Sequence, residues 1–121
     1  MSNIPGRIIK ALNFTGYPVA QTSYAGKSEI YFVFRLDAFP GNFRDDEPGC
    51  DVVSAQVHLF APFTLNTRKL RSQVRKALFD AGGTYPQVVD ASETMRSSDG
   101  TEQHIVFECE FEEVIENGGT V

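Results

Sequence analysis

Three glutamates, Glu108, Glu110 and Glu112, occupy alternate positions of HIVFECEFEE (104–113), with Ile105, Phe107, Cys109 and Phe111 between and before them. Alternate residues of a strand share a face and stand about 6.5–7 Å apart, a spacing at which two carboxylates could serve as general acid and base. That work needs a desolvated pocket to raise one pKa; three carboxylates repeating along one face read instead as an open, solvated comb. The two histidines, His58 and His104, fall on the polar faces of predicted strands. If those strands are neighbours, the pair and a nearby carboxylate could hold zinc or another metal. No third ligand clusters with them, so two surface histidines without a metal are expected. Neither histidine sits in a nucleophile-like turn. Gly82-Gly83 follows a predicted helix instead of leading into one, the reverse of a phosphate loop. The expectation is a chain that is not an enzyme, with no catalytic residue, no metal and no cofactor.

Charge is more informative. The chain has 121 residues and a net charge of −5, an acidic balance that disfavours general nucleic-acid or anionic-membrane binding. Five of the 11 basic residues, Arg68, Lys69, Arg71, Arg75 and Lys76, fall in one helical stretch, whereas no Lys or Arg follows Arg96. At 100° per residue, Arg68, Ser72, Arg75 and Phe79 lie opposite the Leu70/Val74/Leu78 stripe. Phe79 is thus apolar where solvent is expected. Either it tucks under the N-terminal helix, or it belongs to an arginine-plus-aromatic contact surface, the composition enriched in interface cores. A basic face on one copy and an acidic strand or loop on the next would favour head-to-tail association, which can close into rings.

The elements that must position these residues follow from periodicity. Asn3 as cap and Pro5 in the first turn introduce a helix carrying Ile8, Ile9 and Leu12. YPVAQTSY (17–24) reads as a short strand, EIYFVFRLD (29–37) as a longer one and DVVSAQVHLF (51–60) as an alternating one. Between the last two, residues 38–50 form a long loop, with Phe39 and Phe43 as apolar anchors and Asp45, Asp46 and Glu47 as an acid run suited to a neighbouring basic helix. Leu70, Val74, Ala77, Leu78 and Ala81 trace a helix face, with Thr67 as cap and Gly82 as stop. VVDASETM (88–95) and residues 103–113 form a hairpin about the turn-rich residues 96–101. The prediction is one α+β domain over 1–121 in the order α-β-β-β-α-β-β: a mostly antiparallel sheet of about five strands with two helices on one side. Residues 114–121 read as a flexible end. No long apolar run or signal-like start is present, which predicts a soluble intracellular protein with two free thiols, Cys50 and Cys109. Cys109 is expected in the core.

Three stretches, TGYPVAQ (15–21), VSAQVHLFAP through LRSQVRKALFDAGG (53–83) and HIVFECEFE (104–112), together resemble the small tail terminator or tail completion proteins of long-tailed bacteriophages. The resemblance runs from Thr15 to Glu112 and lies in patterned core positions, not in a catalytic signature. It implies a tail-tube-like α+β fold and a hexameric ring that caps the tail tube and joins it to the head connector in the virion. Assembly would take place in the host cytoplasm. Partners would be further copies of the chain, the tail tube protein and a connector or neck protein, with DNA only as passing cargo and no membrane. On that reading Glu108, Glu110 and Glu112 line the channel and repel phosphates, so that DNA slides; an outer solvated face is the alternative. The subunit interface would draw on Arg68, Arg71, Arg75, Phe79, Phe39, Phe43, Asp45, Asp46 and Glu47. Two other readings stay open: another head–tail neck or connector ring subunit, and a small metal- or ligand-binding α+β domain.

Overall fold

The computed structural model describes residues 3–40, 50–92 and 102–114. The elements run α1 (Ile4–Leu12), a 3₁₀ turn (Asn13–Thr15), β1 (Val19–Gln21), β2 (Tyr31–Pro40), β3 (Cys50–Pro62), α2 (Arg68–Asp80), β4 (Gln87–Asp90) and β5 (Glu102–Val114). The strands form one sheet in the order β1-β2-β3-β5-β4. Among the described residues only the β1–β2 pair is parallel; the remaining pairs are antiparallel. The α+β class, the element order and the mostly antiparallel sheet are those the periodicity predicts.

Alternation decides which side of the sheet carries helices. Phe32 and Phe34 on β2, Val53, Ala55, Val57 and Leu59 on β3, and Ile105, Phe107, Cys109 and Phe111 on β5 all face one side. On that side they meet Ile4, Ile8 and Leu12 of α1 and Val74 and Leu78 of α2, forming one buried cluster. Each fully buried aromatic or aliphatic side chain there contributes about 1.5–3 kcal/mol. Cys109 is part of this core, and burial pushes its thiol up to about 11.

Helix ends follow local chemistry. Asn3 Oδ1 accepts from the Gly6 amide at 3.0 Å, so the first cap is as expected. Thr67 stands at the start of α2 but its hydroxyl caps nothing. It donates instead to Gln103 Oε1 at 3.2 Å, while Asn66 Oδ1 takes the Arg68 amide at 3.0 Å. Gln103, buried, completes the clamp by donating to the carbonyls of Pro62 and Leu65 at 2.9 and 2.8 Å. At the other end Gly82, with φ +108, reverses the chain, and Arg7 Nε of α1 donates to the Ala81 carbonyl at 3.0 Å. A cation at a helix C-terminus also suits the dipole. A side chain at residue 82 would collide with that guanidinium.

Several boundaries depart from the sequence reading. The β2 and β3 ladder continues to Pro40↔Asp51, so the connecting segment is shorter than 38–50. Pro40 is tolerated because β1 reaches only Phe34, leaving the outer edge of β2 without a strand partner beyond it among the described residues. The β1 strand is shorter than 17–24 because Thr22 takes φ +76, incompatible with an extended strand. β4 ends at Asp90 rather than residue 95, where an Asp90–Ser92 turn takes over, with Ser92 N and Oγ both donating to Asp90 Oδ1 at 3.0 and 2.6 Å. Phe43, Asp45, Asp46 and Glu47 lie outside the described residues, as does 115–121 of the terminal segment. Among the described residues no helix is long and apolar enough to cross a membrane.

Candidate functional site on the helix-free face

Among the described residues no helix lies over the other face of the sheet, and register arranges its side chains in rows. Tyr31 stands opposite Phe60, and Phe60 opposite His104. Side chains directly opposite on adjacent strands lie close enough to touch. Their rings stack in a ladder: Tyr31–Phe60 centroids are 5.0 Å apart and Phe60–His104 4.4 Å, with planes 23° and 8° apart. Tyr24, from the segment joining β1 to β2, extends the ladder by stacking on Tyr31 at 4.5 Å. That segment therefore crosses onto the helix-free side. Its fold begins with a three-residue turn closed by the Ser23 amide on the Gln21 carbonyl at 2.9 Å, centred on Thr22. A positive φ at a β-branched residue is strained. Burial first, then Glu102 and Tyr24, raise the Tyr31 phenol above its ordinary value.

His58 and His104 come together here. Their strands are neighbours, and His58 Nδ1 lies 2.7 Å from His104 Nε2. That is a hydrogen bond; a shared metal at about 2.0–2.1 Å from each nitrogen would hold them further apart. No group of three metal-ligating side chains occurs among the described residues. The expectation of two surface histidines is corrected for His104, which is only 3% exposed, because the ring ladder and the 90–92 turn enclose it. Burial, then Arg35, lower the pKa of His58 against a smaller opposing push from Glu108. Burial, then His58, lower that of His104, with Asp90 opposing. The Asp90 carboxylate is itself held below its usual range by the Ser92 hydroxyl and amide, and by Arg71 and His104.

Further along the same face, Arg35, Gln56, Glu108 and Gln87 form a row across four strands. Gln56 Nε2 donates to Glu108 Oε2 at 3.4 Å. Glu110 stands opposite Ser54 and Glu112 opposite Val52. All three glutamates are exposed. The comb thus shares a face with the histidine pair, toward the other end of β5.

The outward side of α2 carries the second set of predicted residues. Arg68 is exposed. Arg71 is half-buried, donating from Nε to Thr67 Oγ1 at 3.1 Å and lying 3.9 Å from Asp90. Arg75 donates from Nε to the Pro86 carbonyl at 3.1 Å and lies 4.6 Å over the Tyr85 ring. Phe79 is 52% exposed and meets Tyr85 edge-on at 5.6 Å, so the alternative in which it tucks under α1 is excluded. Phe39 is placed by its backbone opposite Val52. Sequence reasoning missed Tyr85, Tyr24 and Tyr31. The available signal was an aromatic residue on the polar parity of a strand or in a turn, already visible at Phe60.

No family model matches the sequence, and no curated protein matches it either. Among solved structures, 12 chains match the fold. One of them, whose designation states no activity, has a TM-score of 0.56 over 93% of this chain and 93% of its own at 14% identity. At that identity the likeness speaks for the fold alone.

Proposed function

We propose that the chain is a structural ring subunit at the head–tail junction of a long-tailed phage, most simply the tail terminator. The observation that carries this reading is the exposed Phe79–Tyr85–Arg75 cluster on the basic outward side of α2. Aromatic and arginine side chains anchored on one another at the surface are the composition of an interface core. Acid on the next copy would meet Arg68 and Lys69 beside the cluster, and a head-to-tail contact of this kind closes into a ring. The helix-free face would then look inward, where Glu108, Glu110 and Glu112 repel passing DNA phosphates. The ring would be hexameric, cap the tail tube and receive the connector of the head.

Mass measurement over a concentration series, with and without tail tube protein, tests the reading. A ring that forms and binds tube ends is expected, and Phe79→Ser should weaken it with the isolated fold intact. A chain that stays monomeric at every concentration and ignores tubes overturns it. A neck or connector ring would use the same self-contact but would bind the connector and not tube ends, so the tube-binding arm separates the two.

A further inference from the structure

The concave part of the helix-free face is chemically unlike the rest of the molecule. A cavity of roughly 400 Å³ lies between the 22–24 turn and the strands, walled by Tyr24, Tyr31, Val33 and Phe60 and carrying Arg35 and Gln56 at its polar side. Small-molecule sites run from about 300 to 1,000 Å³. Among the described residues, no acid lines this cavity. Its polar lining holds the Arg35 guanidinium, His58 and His104, with the Gln56 amide and the Thr22 and Ser23 hydroxyls able to donate as well as accept.

Satisfying the histidine pair fixes which proton His58 offers. His104 Nδ1 is buried without a partner among the described residues. A buried orphan N–H is rarer and costlier than an orphan lone pair, so the proton of neutral His104 belongs on Nε2, where it donates to His58 Nδ1 across the 2.7 Å contact. A neutral imidazole has one N–H. His58 therefore carries its own on Nε2, the nitrogen left for a group outside the pair. The strained Thr22 turn at the lip supplies a further sign, since such strain concentrates at ligand clamps.

We propose that this cavity is a binding site for a small planar carboxylate, its flat body stacked against the Tyr24–Tyr31–Phe60 ladder and its carboxylate taken by Arg35 with the His58 Nε2–H. Arginine matches a carboxylate through paired N–H donors, and an apolar flat body gains from stacked rings. Glu108, already bonded to Gln56, and Glu102 near Tyr31 oppose an anion from the margins. They restrict the site to ligands that bring apolar area as well as charge. The site does not rest on the ring reading.

The test is an amide and imidazole NMR titration of the whole chain with benzoate, benzamide and inorganic phosphate in parallel. Benzoate should shift signals of 22–24, 31–35 and 56–60 together with the His58 ring, and benzamide and phosphate should bind at least about tenfold more weakly, the loss that follows from removing either the charge-assisted bonds or the stacking. Arg35→Gln, at an exposed position that leaves the core untouched, should weaken benzoate about tenfold, as expected for a charged hydrogen bond, and Tyr24→Ala should weaken it without altering the discrimination against benzamide. Shifts absent at millimolar benzoate, scattered over the surface, equal for phosphate, or unchanged in Arg35→Gln would each overturn the proposal.

Discussion

The two faces of the sheet are made by the same strands, residue by alternate residue, and they do opposite things. The helix-covered face is apolar: Phe32, Phe34, Val57, Leu59, Ile105, Phe107 and Phe111 are all at most 1% exposed. The helix-free face carries the ring ladder, the histidine pair, Arg35 and the glutamate comb. One face is specified by volume and the other by polar partners. Stability should therefore reside in the first and ionisable behaviour in the second.

The largest expected effect contrasts two phenylalanines. Phe107→Ala should cost about 3–5 kcal/mol in urea unfolding, as a fully buried large-to-small change. Phe60→Ala, in the half-buried ladder, should cost less, about 1–3 kcal/mol, since the close ring pairs it loses, with Tyr31 and His104, are worth about 0.5–1.5 kcal/mol each and the third, with His58 at 6.3 Å, is the most distant. Equal costs would mean that the ladder is a second core, and the contrast would fail.

Next comes pH. Both histidines have folded pKa values below the ordinary 6.5, so the unfolded chain binds protons first as pH falls, and stability drops below about pH 6.5. Above that pH the contribution is complete. Asp90 adds a separate loss only at more acid pH, below its ordinary 3.8. Melting temperatures from pH 7.5 to 5 should fall, and His104→Phe, which keeps a ring against Phe60, should flatten the slope. A slope unchanged in that variant would place the titrating group elsewhere.

A third contrast is chemical. With its thiol pushed up to about 11 and 4% exposed, Cys109 should react with iodoacetamide only as fast as the chain opens, because the thiolate is the nucleophile. Read at Cys109 by peptide mapping, so that Cys50 does not contribute, labelling should accelerate by orders of magnitude in urea at the unfolding midpoint, whereas immediate labelling of Cys109 in buffer would show a breached core. The smallest effect is expected at the comb: Glu108→Gln, Glu110→Gln and Glu112→Gln together should change stability by less than about 1 kcal/mol, as exposed like charges are screened and each surface change is small. A larger loss, read in the same urea series, would assign these glutamates a structural partner.

Alternation in HIVFECEFEE and DVVSAQVHLF, and the 3.6-residue stripe of Leu70, Val74 and Leu78, were enough to place both inner strands, α2 and their buried sides, because burial of one face imposes a period that single residues reveal. The same pattern put Glu108, Glu110 and Glu112 on one exposed face and Phe79 on the outside of its helix. Local pattern carries no register, so it could not show that Tyr31, Phe60 and His104 stand side by side on three strands. Nor could it show that residues 22–24 turn back over them, that His58 reaches His104, or that Tyr85 meets Phe79. Those juxtapositions depend on hydrogen-bonded pairing between segments up to some tens of residues apart. Such pairing is decided by how the whole apolar side fits beneath two helices, and the helix-free side inherits its arrangement from that fit.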